Sequence, residues 1–212
     1  MIKLNKFFKI SLGGNFMCGH GQGKGHVEKM KERYYLNRNN TVLLGIDVQE
    51  KLIKAMFNAE TFMKNSKALL QLTNIYDIPV IFTEQNPRAL GKTSEELLKS
   101  AANPAVYEKM DFSGFCSELD EALKKHNRTN IIVIGMESHV CVYQTVRDLV
   151  VNGYNVTIVS DAVASRFKFN YDNALDMMSK IHAVISNTET VLFDIVHTSS
   201  DEHFKEAQKL IK

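Results

Sequence analysis

The stretch Ile131–Val150, IIVIGMESHVCVYQTVRDLV, decides how this chain is read. Four apolar residues of strand character, Ile131 to Ile134, run into Gly135, as in a strand covered on both faces. A short polar turn follows, and an amphipathic helix is predicted over residues 140–152. Cys141 therefore falls in the first helical turn. Backbone N–H groups there have no intrahelical partner, and the helix dipole presents its positive end. Both effects favour thiolate, the nucleophilic form of cysteine. Free cysteine is also among the most buried residue types, so the same position reads as a small core hydrophobe.

The strand–helix alternation extends outward in both directions. TVLLGID (41–47) is a buried strand ending at an acid, and residues 59–76 show helical spacing. IPVIFT is a second strand opened by Pro79, followed by a polar loop, EQNPRALGKT, and a short helix near Ser94–Ser100. AVYEKM is a brief strand-like piece, and residues 115–126 are helical, with Asn127 near the stop. After the 140–152 helix come Gly153 as its C-cap and the strand NVTIVSD. A helix over about 170–182, a short strand near Ala183–Ile185 and an amphipathic helix over Asp201–Lys212, N-capped by Asp201, complete the pattern. Strands alternating with helices predict βαβ units with right-handed crossovers. The expected fold class is α/β: a three-layer α/β/α, doubly wound, mainly parallel sheet. Ligands in such sheets bind outside the carboxyl ends of the strands.

The 212 residues suit one such domain, over 40–212, behind a flexible, basic, Gly-rich extension at 1–39. Residues 1–40 hold eight Lys/Arg against two acids, a local charge of +6; with +2 for the whole chain, the remainder carries −4. The basic character belongs to the leader, and nothing in the domain suggests a nucleic-acid surface. Cys18, Cys116 and Cys141 are widely spaced without a CxxC, which predicts free thiols and a cytoplasmic location. No apolar run reaches membrane-spanning length, so no membrane association is expected. Cys18, His20 and His26 fall short of a metal-ligand set, and no cofactor or metal is expected.

If the sheet is parallel, Asp47, Lys109 and Cys141 end or follow three of its strands and point to one edge. A thiol is activated by losing its proton to a neighbouring base, here a carboxylate. A cation beside both lowers the thiol pKa and keeps the acid ionised. N–H groups of the 135–141 turn are candidate donors to an oxyanion. Taken singly, Asp47 also reads as a loop cap and Lys109 as a solvated surface charge. Gln49, Glu84, Gln85, Phe112 and His139 are candidates for orienting a substrate, and each also reads as a loop group satisfying backbone. His139 adds a side chain that titrates near neutrality. Arg166, which ends VSDAVASR, is expected to pair with Asp161.

Three landmarks, LLGIDVQ with Asp47, YEKMDFSGF with Lys109 and GMESHVCV with Cys141, make the chain resemble the isochorismatase-like cysteine hydrolase family over about residues 40–195. TEQNPRALG further resembles the branch of isochorismatase domain-containing proteins. The resemblance implies an Asp47–Lys109–Cys141 triad, a cis Met136–Glu137 peptide, and an oxyanion hole made by the backbone amides of Glu137 and Cys141. It also implies a homo-oligomer, dimeric or higher, as the apolar helix faces do, and a small-molecule substrate. True isochorismatases have Gly where this chain has Cys141, and nicotinamidases carry an Asp-x-His metal motif where this chain reads TEQNPRALGKT, without His. The expectation is therefore hydrolysis of a C–N bond in a small amide through a thioester acyl-enzyme. The alternative is a weakly catalytic binding or scaffold protein that retains the fold.

Overall fold

The apolar runs assemble one sheet. The computed structural model describes residues 30–31 and 33–212, so Cys18, His20, His26 and most of the extension read at 1–39 lie outside the described residues. The strands are β1 (Thr41–Ile46), β2 (Val80–Gln85), β3 (Ala105–Lys109), β4 (Asn130–Met136), β5 (Asn155–Ala164) and β6 (Val184–Ser186). Their order is β3-β2-β1-β4-β5-β6, and every neighbouring pair is parallel. The chain winds outward from β1 to β3, returns to the centre, and winds the opposite way from β4 to β6. That reversal leaves a crevice at the carboxyl ends of β1 and β4.

The α-helices around the sheet are α1 (Glu50–Ile53), α2 (Ala59–Ile75), α3 (Pro87–Leu90), α4 (Glu95–Ser100), α5 (Ser117–His126), α6 (Tyr143–Val151), α7 (Lys168–Lys180), α8 (Thr188–Val196) and α9 (Phe204–Lys209). Period-two alternation divides the core between the two faces of the sheet. Leu43, Ile132 and Ile134 pack with Phe62, Leu69, Leu192 and Ile195 of α2 and α8. Val42, Leu44, Ile46, Ile131 and Val133 pack with Leu119, Leu123, Val146, Leu149 and Met178 of α5, α6 and α7. Each such side chain removed from water contributes about 1.5–3 kcal/mol. Both layers are therefore needed to hold the sheet.

Several elements differ from the sequence reading. Helix α8 was not anticipated, although Val191, Leu192, Ile195 and Val196 are spaced for one buried face and the Asn187 side chain caps it by accepting from Thr190 N–H. The stretch read as a polar loop contains the single turn α3, begun by Pro87 at a helix start, where proline's missing N–H costs nothing. Strand β5 is ten residues long and bulged: pairing with β4 runs to Val133↔Ile158 and resumes at Gly135↔Val163. Asp201 does not cap the last helix, which starts at Phe204. Its carboxylate instead accepts from Arg38 (2.7 Å), the Tyr76 hydroxyl (2.8 Å) and His203 N–H (2.9 Å), tying the chain end to the segment before β1.

Candidate active site

Asp47 directly follows β1, and its backbone turns sharply there, with φ of 54°. Asp is one of the few side chains that tolerates this left-handed conformation. Its N–H donates to the Thr83 carbonyl at the end of β2 (3.1 Å), and its carbonyl accepts from Gln49 N–H (2.9 Å). The carboxyl group is thereby turned inward and is fully buried. Oδ1 accepts from the Thr83 hydroxyl and Oδ2 from the Lys109 ammonium, each at 2.8 Å.

Lys109 ends β3, two strands away from β1, and its four-carbon stem spans the carboxyl end of β2. Besides Asp47, Nζ donates to Gln85 Oε1 (2.7 Å) and to the carbonyls of Asp111 and Phe112 (3.1 Å each). The ammonium is set in a ring of oxygens, only one of them charged. Gln85 is itself fixed by Gln49, whose amide accepts from Gln85 N–H (3.0 Å) and donates to its carbonyl (3.1 Å).

Cys141 reaches the same place from the other side of the crevice. It lies in a π-helical turn, Ser138–Val142, which precedes α6. Gly135 makes the approach possible: its φ is +133°, and a Cβ there would sit 2.2 Å from the Ile46 carbonyl oxygen. The Met136–Glu137 peptide is cis. The Glu137 carbonyl accepts from Val140 N–H (3.0 Å) and Val142 N–H (3.2 Å), and no bond to it from Cys141 N–H occurs among the described residues. The turn is anchored where Ser138 Oγ donates to the Ala164 carbonyl (2.9 Å) and where Thr145 Oγ donates to the Cys141 carbonyl (2.6 Å).

Asp47 and Lys109 share the carboxyl edge of the sheet with Cys141, and their charges bear on its thiol. Burial, and then the Asp47 carboxylate, push the Cys141 thiol up to about 12, while Lys109 opposes them. Burial also raises Asp47, against the pull of Lys109, Cys141 and Thr83. The burial of Cys141, only 7% exposed, thus opposes the thiolate that its place in the turn favours.

The remaining candidates divide. Gln85 and the Phe112 carbonyl touch Lys109, while the Phe112 ring points outward and is exposed. Gln49 braces backbone, also donating to the Gly91 carbonyl (2.5 Å). Glu84 is buried against the loop after α3, where it accepts from Thr93 N–H (2.7 Å) and pairs with Lys92 (3.4 Å). His139 lies between Ser165 Oγ (3.1 Å from Nδ1) and Asn170 Nδ2 (3.3 Å from Nε2), a bridge from the turn that carries Cys141 to α7. Arg166 does not pair with Asp161. It binds Glu137, while Asp161 accepts from the N–H and hydroxyl of Thr188. Sequence reasoning missed Thr83 and Thr145; the only signal for Thr83 was a polar residue near the end of an otherwise apolar strand.

A profile of the isochorismatase domain matches residues 41–190. The chain is 34% identical over 177 residues to isochorismatase domain-containing protein 2 of Danio rerio, covering 83% of this chain and 89% of that one. A solved structure described as the MAR1 ribonuclease of Caenorhabditis elegans superposes with a TM-score of 0.80 at 35% identity, covering 84% and 92% of the two chains. The Escherichia coli YcaC gene product, described as an octameric hydrolase of unknown specificity, superposes with a TM-score of 0.76 at 20% identity, covering 84% and 95%. At that identity the likeness is one of fold.

Proposed function

The chain belongs to the isochorismatase family of hydrolases, and we propose that it hydrolyses a C–N bond of a small amide-like substrate through Asp47, Lys109 and Cys141. The observation that carries this reading is the buried Asp47 carboxylate, held by Thr83 and Lys109 at the sheet edge that also carries Cys141.

In this reading Asp47 takes the thiol proton as the sulfur attacks the substrate carbonyl. A neutral resting thiol suits transfer during attack, with the base already in place. Lys109 stays cationic beside negative charge that moves from carboxylate to sulfur. The amides of Glu137 and Cys141 donate to the oxyanion; the π-type turn leaves the Cys141 N–H unclaimed by the Glu137 carbonyl. Collapse breaks the C–N bond, and the amine or ammonia leaves with the proton from Asp47. Asp47 then deprotonates water, which attacks the thioester, releases the acid and restores the thiol.

Cys141 at the nucleophile position argues against vinyl-ether cleavage of isochorismate, and the absence of His from TEQNPRALGKT argues against nicotinamide turnover. Exposed Val151, Phe167 and Phe169 favour a homo-oligomer. The proposal extends to a cytoplasmic enzyme that uses neither metal nor cofactor and binds neither nucleic acid nor membrane, with residues 1–39 as an extension outside the catalytic domain. The other reading, a binding or scaffold protein, predicts the same fold without turnover.

The test is mass-spectrometric trapping. The purified chain is incubated with a panel of small primary and secondary amides and quenched in acid. An adduct on Cys141 with the mass of the acyl group, absent in Cys141→Ser and accompanied by free amine, supports the hydrolase. Binding without adduct or amine release across the panel moves the assignment to a binding protein, and cleavage of RNA instead of amides would replace the substrate class.

A further inference from the structure

Thr145 has no part in the chemistry above, yet two pieces of the carboxyl edge meet at its hydroxyl. It lies in the first turn of α6, four residues after Cys141, and is fully buried. Oγ donates to the Cys141 carbonyl (2.6 Å) and accepts from Gly114 N–H (2.7 Å). Gly114 belongs to the loop after β3. Earlier in that loop, the carbonyls of Asp111 and Phe112 hold the Lys109 ammonium. One hydroxyl thus joins the turn that carries Cys141 to the loop that holds Lys109.

A helical threonine commonly bonds the carbonyl four residues back, so the bond to Cys141 taken alone is ordinary. The bond from Gly114 is not, because it arrives from a segment outside the helix and uses the hydroxyl's acceptor side. The approach is close: a Cβ at 114 would sit 3.2 Å from Thr83 Cγ2 and 3.3 Å from Thr145 Oγ. Thr83 in turn donates to Asp47 (2.8 Å). The loop is therefore seated between the threonine that holds Asp47 and the threonine that holds Cys141. One turn further along α6, Ser113 Oγ donates to Asp148 (2.6 Å) and accepts from Phe115 N–H (3.2 Å), a second fastening of the same loop to the same helix.

We propose that Thr145 is a positioning residue, whose hydroxyl keeps Cys141 in register with Lys109 and Asp47 by tying the Cys141 carbonyl to Gly114 N–H. The proposal rests on the hydrolase reading. A threonine that served only to pack α6 against the loop could be replaced by valine, which has nearly its shape, without changing turnover.

The test compares full-length wild type, Thr145→Val and Thr145→Ser on the panel of small amides, well below their melting temperatures. Thr145→Val keeps the shape and removes the hydroxyl; Thr145→Ser keeps the hydroxyl and removes the methyl. In Thr145→Val kcat is expected to fall about tenfold to a hundredfold with KM little changed, the scale of a slightly misplaced reacting group. Thr145→Ser restores most of kcat. Wild-type kcat in Thr145→Val, or equal losses in the two variants, overturns the proposal. Where Thr145→Val does not fold, Gly114→Ala takes its place, since its methyl pushes the loop from both threonines. The same fall in kcat is expected there, and wild-type kinetics overturns the proposal.

Should wild type turn over none of the amides, the hydrolase reading is what fails. The joint is then judged by NMR of the Gly114 N–H before and after alkylation of Cys141 with iodoacetamide. A shift in wild type and Thr145→Ser that is lost in Thr145→Val supports it. No shift in wild type, or the same shift in all three, overturns it.

Discussion

Lys109 Nζ lies 2.8 Å from Asp47 Oδ2 although their strands are separated by β2. Neighbouring strands sit about 4.8 Å apart, so the pair bridges roughly 10 Å of sheet edge. A long, flexible cation is the residue type that can reach so far. Both side chains are buried, at 3% and 0% exposure, so neither charge has water to replace a lost partner.

Lys109→Met is accordingly expected to cost about 3–5 kcal/mol of stability, the range for breaking a buried ion pair from one side. Urea denaturation of Lys109→Met, Asp47→Asn and the double variant checks this. The double variant should be more stable than the sum of the two single losses predicts, because it leaves no orphan charge. Additive losses would show that the pair is energetically uncoupled.

Alkylation of Cys141 should be slower at pH 7 than that of a free thiol, since burial and Asp47 hold it protonated up to about 12. Asp47→Asn removes the negative neighbour and leaves Lys109. The labelling midpoint should therefore move to lower pH while turnover of any amide substrate is lost. Labelling and turnover that fell together would mean that Asp47 acts chiefly by stabilising a resting thiolate.

Gln85→Leu takes one neutral acceptor from the Lys109 ammonium while keeping similar volume. We expect turnover to fall about tenfold, the cost of misplacing one catalytic group, with melting temperature little changed. Wild-type kinetics in this variant would assign the glutamine to packing alone.

Asp201 offers a test far from the site. Arg38 foremost, then Tyr76 and His203 N–H, hold its carboxyl down to about 2, against an ordinary value of 3.8. A depressed acid contributes stability above its unfolded value, and that contribution is lost as pH falls from 3.8 towards 2. Asp201→Asn should thus cost about 1–2 kcal/mol at pH 7, after allowing for the half-exposed Arg38, and almost nothing near pH 2. Equal losses at both pH values would point to packing.

Gly135→Ala should destabilise the chain by about 2–4 kcal/mol or prevent folding, because the new methyl would meet the Ile46 carbonyl in a backbone conformation that alanine disfavours. Thermal melting and circular dichroism of the variant check this, and a wild-type melting temperature would show that β1 and β4 can separate at no cost.

Much of the fold is legible because burial on both faces leaves apolar runs such as IIVIG and TVLLGI, and crossover helices leave period-3.6 spacing. What escaped lies where local pattern and tertiary context diverge. The bulge in β5 adds residues that alternation cannot register, and Asp201 looks like a helix cap until Arg38 and Tyr76 are placed beside it. The strand-end positions of Asp47, Lys109 and Cys141 follow from the βαβ pattern. Glu84, at a strand end too, points to the opposite layer from Thr83, and Gln49 acts as a backbone brace.

The sequence by itself determines the parallel α/β architecture and the edge on which its polar residues gather, because hydrophobic period and strand-to-helix order are local properties of the chain. Tertiary structure alone decides the state of that edge. Side chains distant in sequence meet there in a space with little water, and the burial that surrounds Asp47 and Lys109 also opposes the thiolate that the local turn at Cys141 favours. Charge in a protein interior depends on the sum of its surroundings, and those surroundings exist only once the chain has folded.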